Sequence, residues 1–99
     1  MQVRERIDTL ERAAEKRNRL KLSYRDAEDR STERAVRPLG LWFWGKVWTL
    51  VAWCELRADF RMFRLYWIDR VTNTGETFRL ERGKTLTGLY RAIEEEPSA

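Results

Sequence analysis

The sequence predicts a mainly β fold of five short strands, arranged as a small barrel or sandwich, with one helix at each end. Three observations carry this expectation. Apolar residues alternate with period two from Leu20 to Tyr24 and again from Val47 to Arg57, as in strands with one buried face. Gly45-Lys46 separates two β-prone runs, and glycine supplies the positive φ that a two-residue hairpin turn requires. Helical spacing of apolar residues is confined to the two ends of the chain.

Taken in order, residues 2–19 put Val3, Ile7, Leu10 and Ala14 at helical spacing among charged neighbours, which predicts an amphipathic helix with a thin apolar stripe. At Leu20 the period changes. Leu20, Leu22 and Tyr24 alternate with Lys21, Ser23 and Arg25, giving a first strand that ends in the turn-prone residues Asp26 to Arg30. A second strand starts near Thr32, is bent by Pro38 and Gly40, and runs to Trp44; a proline there suits a sheet edge or a bulge.

After the hairpin, Trp48, Leu50, Ala52, Cys54 and Leu56 point one way and read as core, while Val47, Thr49, Val51, Trp53, Glu55 and Arg57 point the other. Ala58-Asp59 turns the chain into an extended run from Phe60 to Val71. Asn73 to Glu76 reads as a further turn before a short strand, Thr77 to Leu80, so the β-core spans residues 20–80. A C-terminal helix over 86–96 follows, with Thr85 as its N-cap, Leu86, Leu89, Tyr90 and Ile93 on one face, and a solvated acidic end, Glu94 to Glu96.

With 99 residues the chain has room for one domain and a modest core, not for a deep catalytic cleft. Its net charge of +4 favours attraction to polyanions. Cys54 is the only cysteine, so an intrachain disulfide is ruled out and the residue reads as a small core hydrophobe in a reducing, cytoplasmic setting. The charged start of the chain lacks a secretory apolar region, and no apolar run is long enough for a membrane span. Without histidine the commonest general base and zinc ligand are missing, so neither an enzyme nor a cofactor or metal site is expected. Gly83-Lys84-Thr85 mimics the end of a phosphate-binding loop. The glycine needed five positions earlier is Phe78, which discounts nucleotide hydrolysis.

The block RAVRPLGLWFWGKVWTLVAWCELRADFRMFRL, residues 34–65, resembles the WYL domain of bacterial winged-helix, DeoR-like transcriptional regulators. Trp48, Thr49 and Leu50 hold the name-giving positions. Arg37 to Gly40, Ala52 to Arg57 and Phe63 to Leu65 match the family's other characteristic runs, and the likeness extends from about Ile7, through Tyr24 and Arg25, to Ile93. The resemblance implies an Sm-like or SH3-like β-fold that senses an effector, with single-stranded nucleic acid or a nucleotide as the kind of ligand. A DNA-binding helix-turn-helix normally precedes such a domain and does not fit before Gln2, so the chain reads as an excised or free-standing sensor, and operator binding is not assigned to it. Two departures stand out. The middle tyrosine is Thr49, and the usual Asp-Arg after Phe-Arg-Leu is Tyr66-Trp67, which removes a basic residue otherwise expected at the ligand.

The candidate ligand-binding residues are Tyr24, Arg37, Trp48, Arg57, Arg61, Arg64 and Trp67. Arg57, Arg61 and Arg64 offer planar forks for phosphate oxygens, the alternative being solvated arginines. In a regular strand Arg61 and Arg64 face opposite ways, so they share a site only at a bulge or a strand end. Trp48 reads as core, with its edge as a second candidate role. Trp42, Trp44 and Trp53 cannot all be buried, so at least one is expected at the surface. There it is available for base stacking or, in the rival reading, for homodimerisation or contact with another domain.

Overall fold

The computed structural model describes residues 3–95 and contains, in order, helix α1 (Val3–Glu15), strands β1 (Asn18–Arg25), β2 (Ser31–Trp44), β3 (Val47–Cys54) and β4 (Asp59–Arg64), a 3-10 turn (Leu65–Trp67), strand β5 (Ile68–Thr77) and helix α2 (Leu86–Glu95). The fold is mainly β, as expected. All five strands form one antiparallel sheet in the order β4-β3-β2-β1-β5, and the sheet is not closed. The two edge strands are nonetheless consecutive in sequence. In a flat sheet they would lie four spacings apart, about 19 Å, whereas a three-residue 3-10 turn advances only about 6 Å. The sheet therefore has to be strongly rolled.

The inner face holds the core: Leu20, Leu22 and Tyr24 of β1, Val36 of β2, Leu50, Ala52 and Cys54 of β3, Phe63 of β4, and Leu65 and Ile68 at the corner, all beneath Leu10 and Ala13 of α1. Cys54 is fully buried. The Gly45-Lys46 turn has φ of 59° and 65° at its two positions, the primed hairpin geometry that favours glycine at one of them. Pro38 sits at a bulge in the β2–β3 pairing, where its missing N–H breaks the ladder least.

Several boundaries differ from expectation. The first helix ends at Glu15 rather than at residue 19, because Arg17 takes a left-handed conformation (φ 55°) and β1 begins at Asn18. Its buried stripe includes Arg6 and Ala13 in addition to Leu10. Strand β3 stops at Cys54, so Leu56 lies in the following turn, 70% exposed instead of in the core. The run from Phe60 to Val71 is not one strand; the turn Leu65–Trp67 splits it, burying Leu65 and Ile68 and turning Tyr66 and Trp67 outward. Conversely, Asn73 to Glu76 is no turn between strands but a bulge within β5. There the Gly75 N–H donates to Asn73 Oδ1 (2.8 Å) and Gly75 has a φ of 78°. Residues 78–80 form no strand. The strand count survives because one predicted strand divides and another is absorbed. The predicted residue Glu96 of the last helix lies outside the described residues.

On the outer face of the sheet α2 packs against β2. Thr85 caps this helix through its Oγ1, which accepts from the Gly88 N–H at 3.1 Å. Leu86 packs over Gly40, where a Cβ would lie 3.1 Å from it, and Trp42 stacks on Tyr90 with ring centroids 5.7 Å apart.

Candidate functional site

The corner between β4 and β5 gathers four of the expected residues. Tyr24, near the end of β1, is almost buried, with Phe63 edge-on at 5.0 Å and the Trp67 ring at 6.2 Å. Arg64 ends β4 and lies over the Trp67 indole at 5.2 Å, a cation–π contact. Arg61 and Arg64 are both close enough to act on the Tyr24 phenol. Burial raises the Tyr24 pKa, against hydrogen bonding with the Arg64 backbone and the positive charges of Arg64 and Arg61. The sharing that a regular strand forbids arises because Arg64 is the last strand residue before the 3-10 turn. Neither arginine pairs with a carboxylate among the described residues, and both are exposed. Beside them Trp67, Arg25, Asp26 and Asp29 line an open hollow of about 290 Å³.

The remaining candidates lie elsewhere. Arg57 sits in the β3–β4 turn next to the Cys54–Asp59 pair. Arg64 pairs with Thr49, five residues along the ladder, so the two ends are roughly 16 Å apart. Trp48 faces the core side of β3 against Phe43, with ring centroids 5.0 Å apart, half-buried and packed on the core cluster. Arg37 points to the outer face and is held there. Its Nε donates to Glu55 Oε1 at 3.1 Å, its Nη1 donates to Glu81 Oε1 at 2.8 Å, and its guanidinium lies 5.9 Å from the Phe78 ring centre. Burial works against that charge, but the bonds with Glu81 and Glu55 outweigh it and raise the Arg37 pKa. Arg19 adds to the network: its Nε is 2.6 Å from Glu55 Oε1 without an aligned hydrogen bond, so this contact is ionic. Arg25, beside Tyr24, is likewise taken up by Asp29 (3.0 Å) and Asp69 (3.2 Å).

Of the tryptophans expected at the surface, Trp44 is 82% exposed at the hairpin tip beside exposed Phe43, whereas Trp42 lies under Tyr90 and Trp53 meets the edge of Phe60 and the Lys84 ammonium. Sequence reasoning did not find the acidic clamp of Glu55 and Glu81 on Arg37. Glu55 stood only in an alternating pattern, and Glu81 is 44 residues from its partner. Among the described residues no group of His, Cys, Asp and Glu could hold a metal ion, and no helix is long and apolar enough to cross a membrane.

A family model described as WYL domain matches residues 5–73, a span that includes most of α1, all of β1 to β4 and the β4–β5 corner. Among solved structures, proteasome accessory factor B/C (PafBC) of Arthrobacter aurescens is similar, with a TM-score of 0.70 and 28% identity over 75% of this chain. The matched region is 12% of that protein's chain. No curated protein sequence matches.

Proposed function

The chain belongs to the WYL domain family, and from that premise we propose that it is a regulatory sensing domain whose effector is an anion, single-stranded nucleic acid or a nucleotide, bound at the β4–β5 corner. The observation that carries this reading is the pairing of two arginines without carboxylate partners among the described residues, Arg61 and Arg64, with the aromatic groups Tyr24 and Trp67 at one corner. Guanidinium forks suit phosphate oxygens, and the half-exposed Trp67 ring offers a stacking surface for a base. The likeness to PafBC, a much longer chain, fits a domain that passes occupancy to a DNA-binding part of the same or another regulator. In this reading the protein is no enzyme; it binds and signals in the cytoplasm.

The test is a titration with short single-stranded oligonucleotides and mononucleotides over a salt series. Binding at this corner weakens steeply as salt rises, since each phosphate contact releases counterions. Binding that ignores salt, or that survives Arg61→Ala with Arg64→Ala, overturns the reading. Exposed Phe43 and Trp44 at the hairpin tip favour a second function, a protein-interaction or homodimer surface. Self-association through these rings holds or strengthens at high salt, the opposite response.

A further inference from the structure

At the other end of β4, away from the corner, a concavity of about 370 Å³ opens between Phe60 and the start of α2, lined also by Arg82, Gly83, Gly88 and Arg91. The two arginines reach it from different segments, Arg82 from the loop before α2 and Arg91 from within the helix. Both are exposed, and neither pairs with a carboxylate among the described residues. Glu81, next to Arg82 in the chain, is occupied by Arg37 and Lys84. The hollow is shaped by backbone: Gly83 has a φ of 84°, and Gly88 packs so tightly on it that a Cβ would lie 2.8 Å from the Gly83 carbonyl carbon.

We propose that this concavity is an anion site that takes a phosphoryl group between Arg82 and Arg91. Two like charges held at one hollow without an internal counter-ion gain most from a compact, multiply charged ligand, and two guanidinium forks can each donate two hydrogen bonds to its oxygens. Phe60 and Ala92 give the space an apolar wall. The site is separate from the β4–β5 corner and stands whether or not that corner binds an effector.

An NMR titration of the full chain with inorganic pyrophosphate, at ionic strength held constant with sodium chloride, tests it. The Gly83 and Gly88 amides shift saturably, and the half-saturation point rises at least tenfold in Arg82→Ala with Arg91→Ala. It stays unchanged in Arg64→Ala, which separates this site from the corner. Should the double alanine variant disturb α2, seen as a change in the Trp42 indole signal, Arg82→Lys with Arg91→Lys keeps the charge but not the forks and binds with intermediate affinity. Shifts that stay linear to the highest concentration, or equal half-saturation in the wild-type chain and the lysine variant, overturn the proposal. Adenosine monophosphate in a parallel arm identifies the source: tighter binding than pyrophosphate assigns a nucleotide phosphate, weaker binding an inorganic one.

Discussion

Arg37 and Arg64 come from the same sequence block, yet they live in opposite electrostatic settings. Arg37 is clamped by Glu55 and Glu81 and covered by Phe78. Arg64 has an indole under it and no carboxylate beside it among the described residues. The division extends across the molecule. Arg19, Lys21, Arg25, Arg30, Arg37 and Lys84 are all ion-paired, whereas Arg57, Arg61, Arg64, Arg82 and Arg91, around β4 and α2, have no carboxylate partner among the described residues. A paired cation spends its field on its partner, so in a chain with a net charge of only +4 the cations without a carboxylate beside them, those around β4 and α2 included, are the ones left to act on a ligand. Arginine count says little about binding; the position of the carboxylates decides which arginines are scaffold and which are available.

The contrast breaks most sharply in stability. Arg37→Ala removes two charge-assisted hydrogen bonds, leaving Glu81 to Lys84 and Glu55 to Arg19, and urea unfolding should show a loss of about 2 kcal/mol. Arg64→Ala should leave the unfolding midpoint within about 0.5 kcal/mol of the wild-type value, while weakening oligonucleotide binding about tenfold, or about 1.4 kcal/mol. A stability loss in Arg64→Ala equal to that in Arg37→Ala would erase the distinction. Arg57→Ala, at the far end of the β4 ladder, should change neither quantity.

Smaller effects sharpen the comparison. The raised pKa of Tyr24 means that the folded chain keeps a proton the unfolded chain releases. Its contribution is complete below the ordinary value of 10.0 and is lost as pH rises through the folded pKa. Tyr24→Phe should abolish this alkaline loss in a pH series of unfolding curves. On the scaffold side the sign reverses. Lys84 and Arg37 hold the Glu81 pKa below 4.5, so its contacts persist above that pH and are lost as pH falls through the folded pKa. Loosening of α2, read from Tyr90 and Trp42 fluorescence, should accompany that acidification and be absent in Glu81→Gln. Last, Tyr66→Asp with Trp67→Arg should steepen the salt dependence of oligonucleotide binding by about one unit of log–log slope, as one added phosphate contact would.

Strands β1 and β3 were legible because each carries a period of two, and the Gly45-Lys46 hairpin because a turn's backbone demand is local. The β4–β5 corner was not. Phe60 to Val71 is apolar enough to pass for one continuous strand, and what bends it at Leu65 is the need to bury both Leu65 and Ile68 in a core assembled from distant segments. The Asn73 to Glu76 segment has turn chemistry, but pairing with Asn18 and Leu20 absorbs it as a bulge. The candidate site was half visible. Tyr24, Arg61, Arg64 and Trp67 do converge, while Arg37 and Arg57 were separated from them by partners and register that no local pattern encodes.

The joining of the two edge strands through Leu65–Trp67 makes the sheet behave like a belt with a buckle. In an ordinary open sheet either edge can fray alone, and amide exchange there reports one strand at a time. Here Arg64 and Ile68 bracket the same three residues, so releasing β4 tugs on β5, and slack at the corner is felt at both margins. Tightening the buckle from outside should slow hydrogen exchange in Phe63 and Val71 together, on strands at opposite ends of the sheet order. A contact confined to three residues would thereby be broadcast across the whole width of the sheet.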